Sequence, residues 1–233
     1  MGATLVQSVS NASGTASPGS VQPTYAPTAV GNLLLAVVAT TGASPVITTP
    51  ASWTLVTNNS DAARAISLYS YVGNPGAITS VLFTLTSSTG ACVYGFEFAG
   101  MPLAAQTEFV AAAATNGTII PGMFPALPDV NELGFWAIGG VTTTLTPVLT
   151  PEWSTIFTKA SSGGAPNAVL NCAWHGFTAG PATPQVGGTL TAADVYMVGA
   201  RYFSAQSSPI TRCPAGGMSG QLVGSFFQGM IGG

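Results

Sequence analysis

With 233 residues, 47% of them apolar and only 5% charged, the chain can bury a sizeable core, while its surface must come mostly from Ser, Thr, Asn, Gly and small apolar residues. Intrinsic disorder is excluded, because disordered chains combine low hydrophobicity with high charge. Nucleic acid is excluded as a partner as well, since Arg64, Lys159, Arg201 and Arg212 are the whole basic complement and cannot form the cationic cluster that displaces counterions from phosphates.

The opening MGATLVQSVSNASG lacks the basic region and continuous apolar stretch of a secretory signal. The longest apolar run, LLLAVVA at 33–39, falls far short of the about 20 residues a spanning helix requires. A soluble protein without a membrane span is expected. Helical periodicity is nearly absent before the C-terminal segment. Short alternating or apolar runs bounded by Gly, Pro, Asn and Ser recur at the spacing of a sandwich or barrel. Strands are predicted at 3–9, 32–39, 52–57, 65–72, 79–86, 91–99, 107–112, 132–140, 153–158, 167–174, 186–190 and 194–203.

The chain also repeats itself. NLLLAVVAT from Asn32 aligns with ELGFWAIGG from Glu132, and TPASWTLV with TPEWSTIF, so that Leu33 falls on Leu133 and Trp53 on Trp153. Further on, Leu68 meets Leu170 and Val93-Tyr94 meets Val195-Tyr196, with small insertions confined to turns. Two copies are too few for a solenoid. Two half-domains, each with an apolar sheet face that must be covered, are expected to pack face to face as one sandwich. The expected organisation is a single β-sandwich domain over 1–204, with half-repeats at 28–100 and 131–204 and a connector at 101–130, followed by a Gly-rich apolar tail at 205–233. Trp53 and Trp153 then read as core or core-rim pillars at strand starts just beyond a proline, against a competing role as sugar-stacking platforms.

In the tail, Met218, Leu222, Phe226 and Met230 recur every four residues with Phe227 beside them, an apolar stripe at helical spacing. Gly216, Gly220 and Gly224 add a small-residue pattern, but interior glycines weaken a helix. Two readings stay open, an extended cover for the sandwich edge and a docking tail that orders on a partner.

Chemical motifs are scarce. No GxSxG, Walker loop, HExxH or paired-histidine metal site occurs, and the lone His175 has no adjacent nucleophile to activate. No catalytic residue, cofactor or metal is expected. Cys92, Cys172 and Cys213 lack CxxC spacing, and the first two read as small buried hydrophobes. The sequons at Asn11, Asn58 and Asn116 are taken as coincidental in a chain so rich in Asn, Ser and Thr. Alternation in VYGFEFAG places Val93, Gly95 and Glu97 on one face, and Arg201 holds the equivalent face in the second copy. A Glu97–Arg201 ion pair across the halves is one expectation, because a charge near a core needs a partner. Two separately solvated charges on outer faces are the other.

The run VGNLLLAVVATTG…TPASWTLV…ISLYSYVGNPG…SVLFTLTSSTGACVYGFEFAG resembles the duplicated, jelly-roll-like β-sandwich module of tailed-phage structural proteins and prophage-like bacterial surface proteins. Asn32 stands where that pattern has Asp, Ser52 replaces the Gly before Trp53, and the second copy is eroded at Glu152-Trp153. The resemblance implies no enzyme but a virion-surface subunit: a capsid decoration, head-fibre or tail-surface protein that self-associates or attaches to other virion proteins. A glycan-binding adhesin for a host surface, with Trp174 or Tyr71 stacking on sugars, is the alternative.

Overall fold

The computed structural model describes residues 3–14, 17–101, 104–114, 118–123, 132–140, 157–162, 167–177, 185–189 and 195–204. Among them the chain forms only β-strands: β1 (Thr4–Ala12), β2 (Ser20–Val21), β3 (Leu33–Thr48), β4 (Thr54–Ser60), β5 (Arg64–Tyr71), β6 (Phe83–Ala99), β7 (Ala104–Ala114), β8 (Thr118–Met123), β9 (Glu132–Gly140), β10 (Phe157–Ala160), β11 (Val169–Phe177), β12 (Gln185–Thr189) and β13 (Val195–Ser204). No helix among the described residues is long and apolar enough to cross a membrane.

The strands pair antiparallel into two main sheets and a β8–β12 ribbon. The first sheet has the order β1-β6-β3-β5-β4, with β2 also on β6, and the second has the order β7-β13-β9-β11-β10. No strand of β1 to β6 joins the second sheet. The sheets lie face to face, with β1 beside β10, β6 beside β11, β3 beside β9, β5 beside β13, and β4 beside β7 and β13.

Strand alternation explains how the core is divided. Leu33, Leu35, Val37 and Ala39 of β3 join Phe96 and Phe98 of β6 and meet Leu133, Phe135, Ala137, Leu170, Val198 and Tyr202 of the second sheet. The intervening Leu34, Ala36 and Val38 point the other way, where they pack with Tyr25, Trp53, Tyr69 and Phe83. LLLAVVA is apolar at every position because β3 is buried on both faces, a pattern that half-exposed antiparallel strands do not show.

The second cluster is roofed by a strap from Thr24 to Gly31 that runs beside residues 74–80. Tyr25 N–H donates to the Thr79 carbonyl at 2.8 Å, Thr28 N–H to Ile78 at 3.2 Å, and Gly31 N–H to Asn74 at 2.8 Å. Asn74, 1% exposed, fixes the turn from inside. Its Nδ2 donates to the Ala29 carbonyl at 2.8 Å, while its Oδ1 accepts from the Gly76 N–H at 2.8 Å.

Two expected strands, 79–86 and 91–99, are one bent strand, β6. Register shifts at Thr41/Gly42 and Gly42/Val46 insert a bulge between β3 and β6, after which Val46–Thr48 pair with Thr84–Thr86. A bulge bends a strand without ending its ladder. Gly42 is required there: its φ is 153°, and a Cβ would fall on the Ser87 carbonyl oxygen. The Ser-Ser-Thr-Gly stretch at 87–90 that resembles a turn is absorbed into this bulge. The sequence pattern does not predict β2 and β8, and residues 151–156, including Trp153, lie outside the described residues.

Candidate functional site

The most developed polar constellation is built around Glu97. Tyr94, Phe96 and Phe98 of β6 enter the inter-sheet core, so Val93, Gly95 and Glu97 face the strap. Glu97 is 1% exposed. Its Oε1 accepts from the Ala29 N–H at 2.8 Å and from Asn32 Nδ2 at 2.7 Å, and its Oε2 accepts from Gln7 Nε2 at 2.5 Å. Gln7 in turn accepts from the Ala26 N–H at 3.0 Å. One buried carboxylate thus gathers β1, the strap and the start of β3, and every one of these partners donates, as an acceptor-only group needs. Asn32 can serve because its amide has protons to give. An aspartate at that position would face Glu97 with a second acceptor.

Tyr25 lies beside this network. Its ring is buried, and a Cβ on Gly95 would fall on its hydroxyl, so the glycine makes room for the phenol under the strap. The hydroxyl has no hydrogen-bond partner among the described residues. Burial, and then the neighbouring Glu97 carboxylate, push this phenol far up from its ordinary range.

Glu97 and Arg201 do not form the expected pair. On β13, Ala200 and Tyr202 enter the core, which turns Arg201 to the far side of the second sheet opposite Gly134. Glu97 faces outward from the first sheet. Equivalent faces of two sheets that share a core necessarily point apart, so the core separates the two charges. Neither is solvated as the alternative expected: Arg201 is 7% exposed, and the outer face around it is buried as well, with Trp136, Ile138 and Asn171 all below 2%.

A second constellation joins the sheets at one end. In the β4–β5 turn, Asp61 Oδ1 accepts from the N–H groups of Ala63 at 2.7 Å and Arg64 at 2.9 Å, and Oδ2 accepts from the Tyr196 hydroxyl of β13 at 2.5 Å. Arg64 Nε stands 3.5 Å from Oδ2, and its guanidinium lies 5.0 Å from the centre of the Tyr196 ring, within cation–π reach. Partial desolvation of Asp61 acts upward on its carboxyl. The bonds from Tyr196, Ala63 and Arg64 and the Arg64 charge outweigh it, and the group is held below its usual range.

The remaining candidates are structural or lie elsewhere. Trp53 is 8% exposed and edge-packed on Tyr71 at 5.8 Å and Phe83 at 6.2 Å. Tyr71 and Trp174, the two aromatic platforms for a sugar, are half-buried; Tyr71 is held by Trp53, and Trp174 packs on Phe98 at 5.4 Å. Cys92 and Cys172 are free thiols in the core, and burial pushes both up. His175 is half-buried on β11. Among the described residues no three of His, Cys, Asp and Glu gather as metal ligands would. Met218, Leu222, Phe226, Phe227, Met230 and Cys213 lie outside the described residues. Sequence reasoning missed Gln7, Tyr25 and Asn74, because Glu97, Gly95 and Ala29, the groups they meet, lie more than 40 residues away along the chain.

No family model matches the sequence, and no curated protein or solved structure matches the chain.

Proposed function

We propose that this chain is a non-enzymatic structural protein of a tailed phage, displayed on the particle as a capsid decoration, head-fibre or tail-surface subunit. The observation that carries the reading is where the few charges go. Glu97 is consumed in holding the strap, Arg201 is buried, and Asp61 and Arg64 are engaged with Tyr196 between the sheets. What faces solvent in the described residues carries few charges, Asp61 being exposed and Lys159 half-exposed, and is dotted with exposed Val6, Val30, Val46, Leu55, Val72 and Leu82. Such a surface gives copies little mutual repulsion and suits packing against neighbours in a lattice. The phage assignment itself rests on the sequence resemblance.

The sandwich is then two stacked copies of one unit rather than a jelly roll. Matching β1, β6, β3, β5 and β4 to β7, β13, β9, β11 and β10 preserves every neighbour in the two sheet orders. Registers agree too: Leu33 pairs with Phe98 and Leu133 with Tyr202, Val37 with Leu68 and Ala137 with Cys172. By register, Leu68 corresponds to Cys172 and Tyr94 to Val198, each two residues beyond the sequence match. A slip of two keeps each residue on its face. Stacking β3 on β9, with β1 on β10 and β4 on β7, supports a pseudo-two-fold axis through the central strands. A Cβ on Gly139 would lie 3.2 Å from that of its counterpart Ala39, the self-contact such an axis produces.

The tail at 205–233 acts as the docking segment in this reading. Gradient-purified particles should contain the chain in stoichiometric amount, and deleting 213–233 should remove it from them. Recovery of the full chain only in the soluble fraction would overturn the assignment.

A further inference from the structure

The bulge between β3 and β6 opens a surface groove of about 420 Å³, lined by Ser17, Pro18, Gly19, Ala43, Leu85 and Ser87 to Thr89. That volume lies within the range of small-molecule sites, about 300–1,000 Å³. No lining residue is charged. Hydroxyls of Ser17, Ser87 and Thr89 sit among apolar Pro18, Ala43 and Leu85. The wall behind them is fixed: Ser88 Oγ lies 2.5 Å from Thr40 Oγ1 and 3.2 Å from the Gly90 carbonyl, and Thr89 Oγ1 lies 3.3 Å from Thr41 Oγ1.

The backbone adds an independent observation. Ser17, Ser87 and Ser44, the last next to Ala43, have φ values of 56°, 57° and 52°, a region that glycine occupies at far lower cost. This chain places glycine at 29 positions and still keeps serine at these three. Three of the five non-glycine residues with positive φ among the described residues thus gather at this groove, the others being Ser52 at 68° and Ala77 at 57°, and strained backbone of this kind clusters at binding sites.

We infer that this groove is a binding site for a neutral saccharide unit. An uncharged ligand rich in hydroxyls matches a wall that offers hydroxyls and carbonyls without charge, and the C–H face of a sugar ring matches Pro18, Ala43 and Leu85. Recognition thus lies in the bulge groove and not on the Trp174 or Tyr71 rings, which are engaged in the core. Such a site does not depend on whether the chain is a virion subunit.

Titration of the isotope-labelled full chain with glucose, galactose, N-acetylglucosamine and their β-linked disaccharides, followed by amide shifts, tests it. At least one sugar should give saturable shifts confined to 17–19, 43–44 and 85–89, with affinity in the millimolar range. Gly19 lines the groove and has nothing within 4 Å of the place a Cβ would take, so Gly19→Trp adds bulk at the groove without a clash at its Cβ and should weaken binding at least tenfold. Ser17→Gly and Ser87→Gly relieve backbone strain and should raise the melting temperature while weakening binding severalfold. No saturable shift with any sugar overturns the inference. So do shifts centred on Trp174 or Tyr71, or serine-to-glycine variants that bind as well as the parent.

Discussion

Glu97 shows how a single side chain can organise a layer. Three donors from three separate segments converge on this buried carboxylate at 2.5–2.8 Å, each in a part-buried bond. Removing the carboxylate leaves those part-buried donors unmatched, so Glu97→Ala should cost about 2 kcal/mol, read as a lower urea midpoint at unchanged slope. Asn32→Asp should also destabilise, because it replaces a donor with a second acceptor beside Glu97. Tyr25 behaves in the opposite sense. Its hydroxyl is buried without a described partner, so Tyr25→Phe should leave stability unchanged or raise it. Gly95→Ala should cost about 2 kcal/mol by driving a methyl into that phenol, and Tyr25→Phe should recover part of the loss in the double variant. Calorimetry on the four proteins reads the cycle.

At the scale of elements, the strands were legible because their residues alternate or run apolar between turn formers. β3 was clearest, since burial on both faces makes all of LLLAVVA apolar. The bend in β6 was not legible: a bulge and a turn use the same residues, and only the register of the partner strand distinguishes them. The strap was equally hidden, because its anchors, Glu97 and Asn74, lie more than 40 residues away along the chain. The expected Glu97–Arg201 pair failed for a topological reason, as the faces were assigned correctly but the stacking sets them apart. The Asp61–Tyr196 tie joins the β4–β5 turn to β13 and yields a pH prediction. The folded Asp61 carboxyl lies below its unfolded value of about 3.9, so the tie contributes at neutral pH and is lost as pH falls through the folded value. Both groups are near the surface, which keeps the effect under about 1 kcal/mol. Tyr196→Phe should lower the urea midpoint slightly at pH 7, and the difference from the parent should shrink toward pH 3.

For the whole molecule, the repeated phrases around Trp53 and Trp153 motivate the proposal of two half-domains, in which β11 and β13 would be offset by two residues from the sequence match. In the proposed two-half arrangement the sandwich would contain one two-fold packing, and its described surface carries few charges to oppose another. Light scattering of the full chain across a wide concentration range, coupled to size exclusion, tests the assembly claim most directly. A discrete symmetric oligomer that persists on dilution into the low micromolar range is the expected result. A well-behaved monomer at every concentration, together with particle incorporation that does not need residues 213–233, would contradict it.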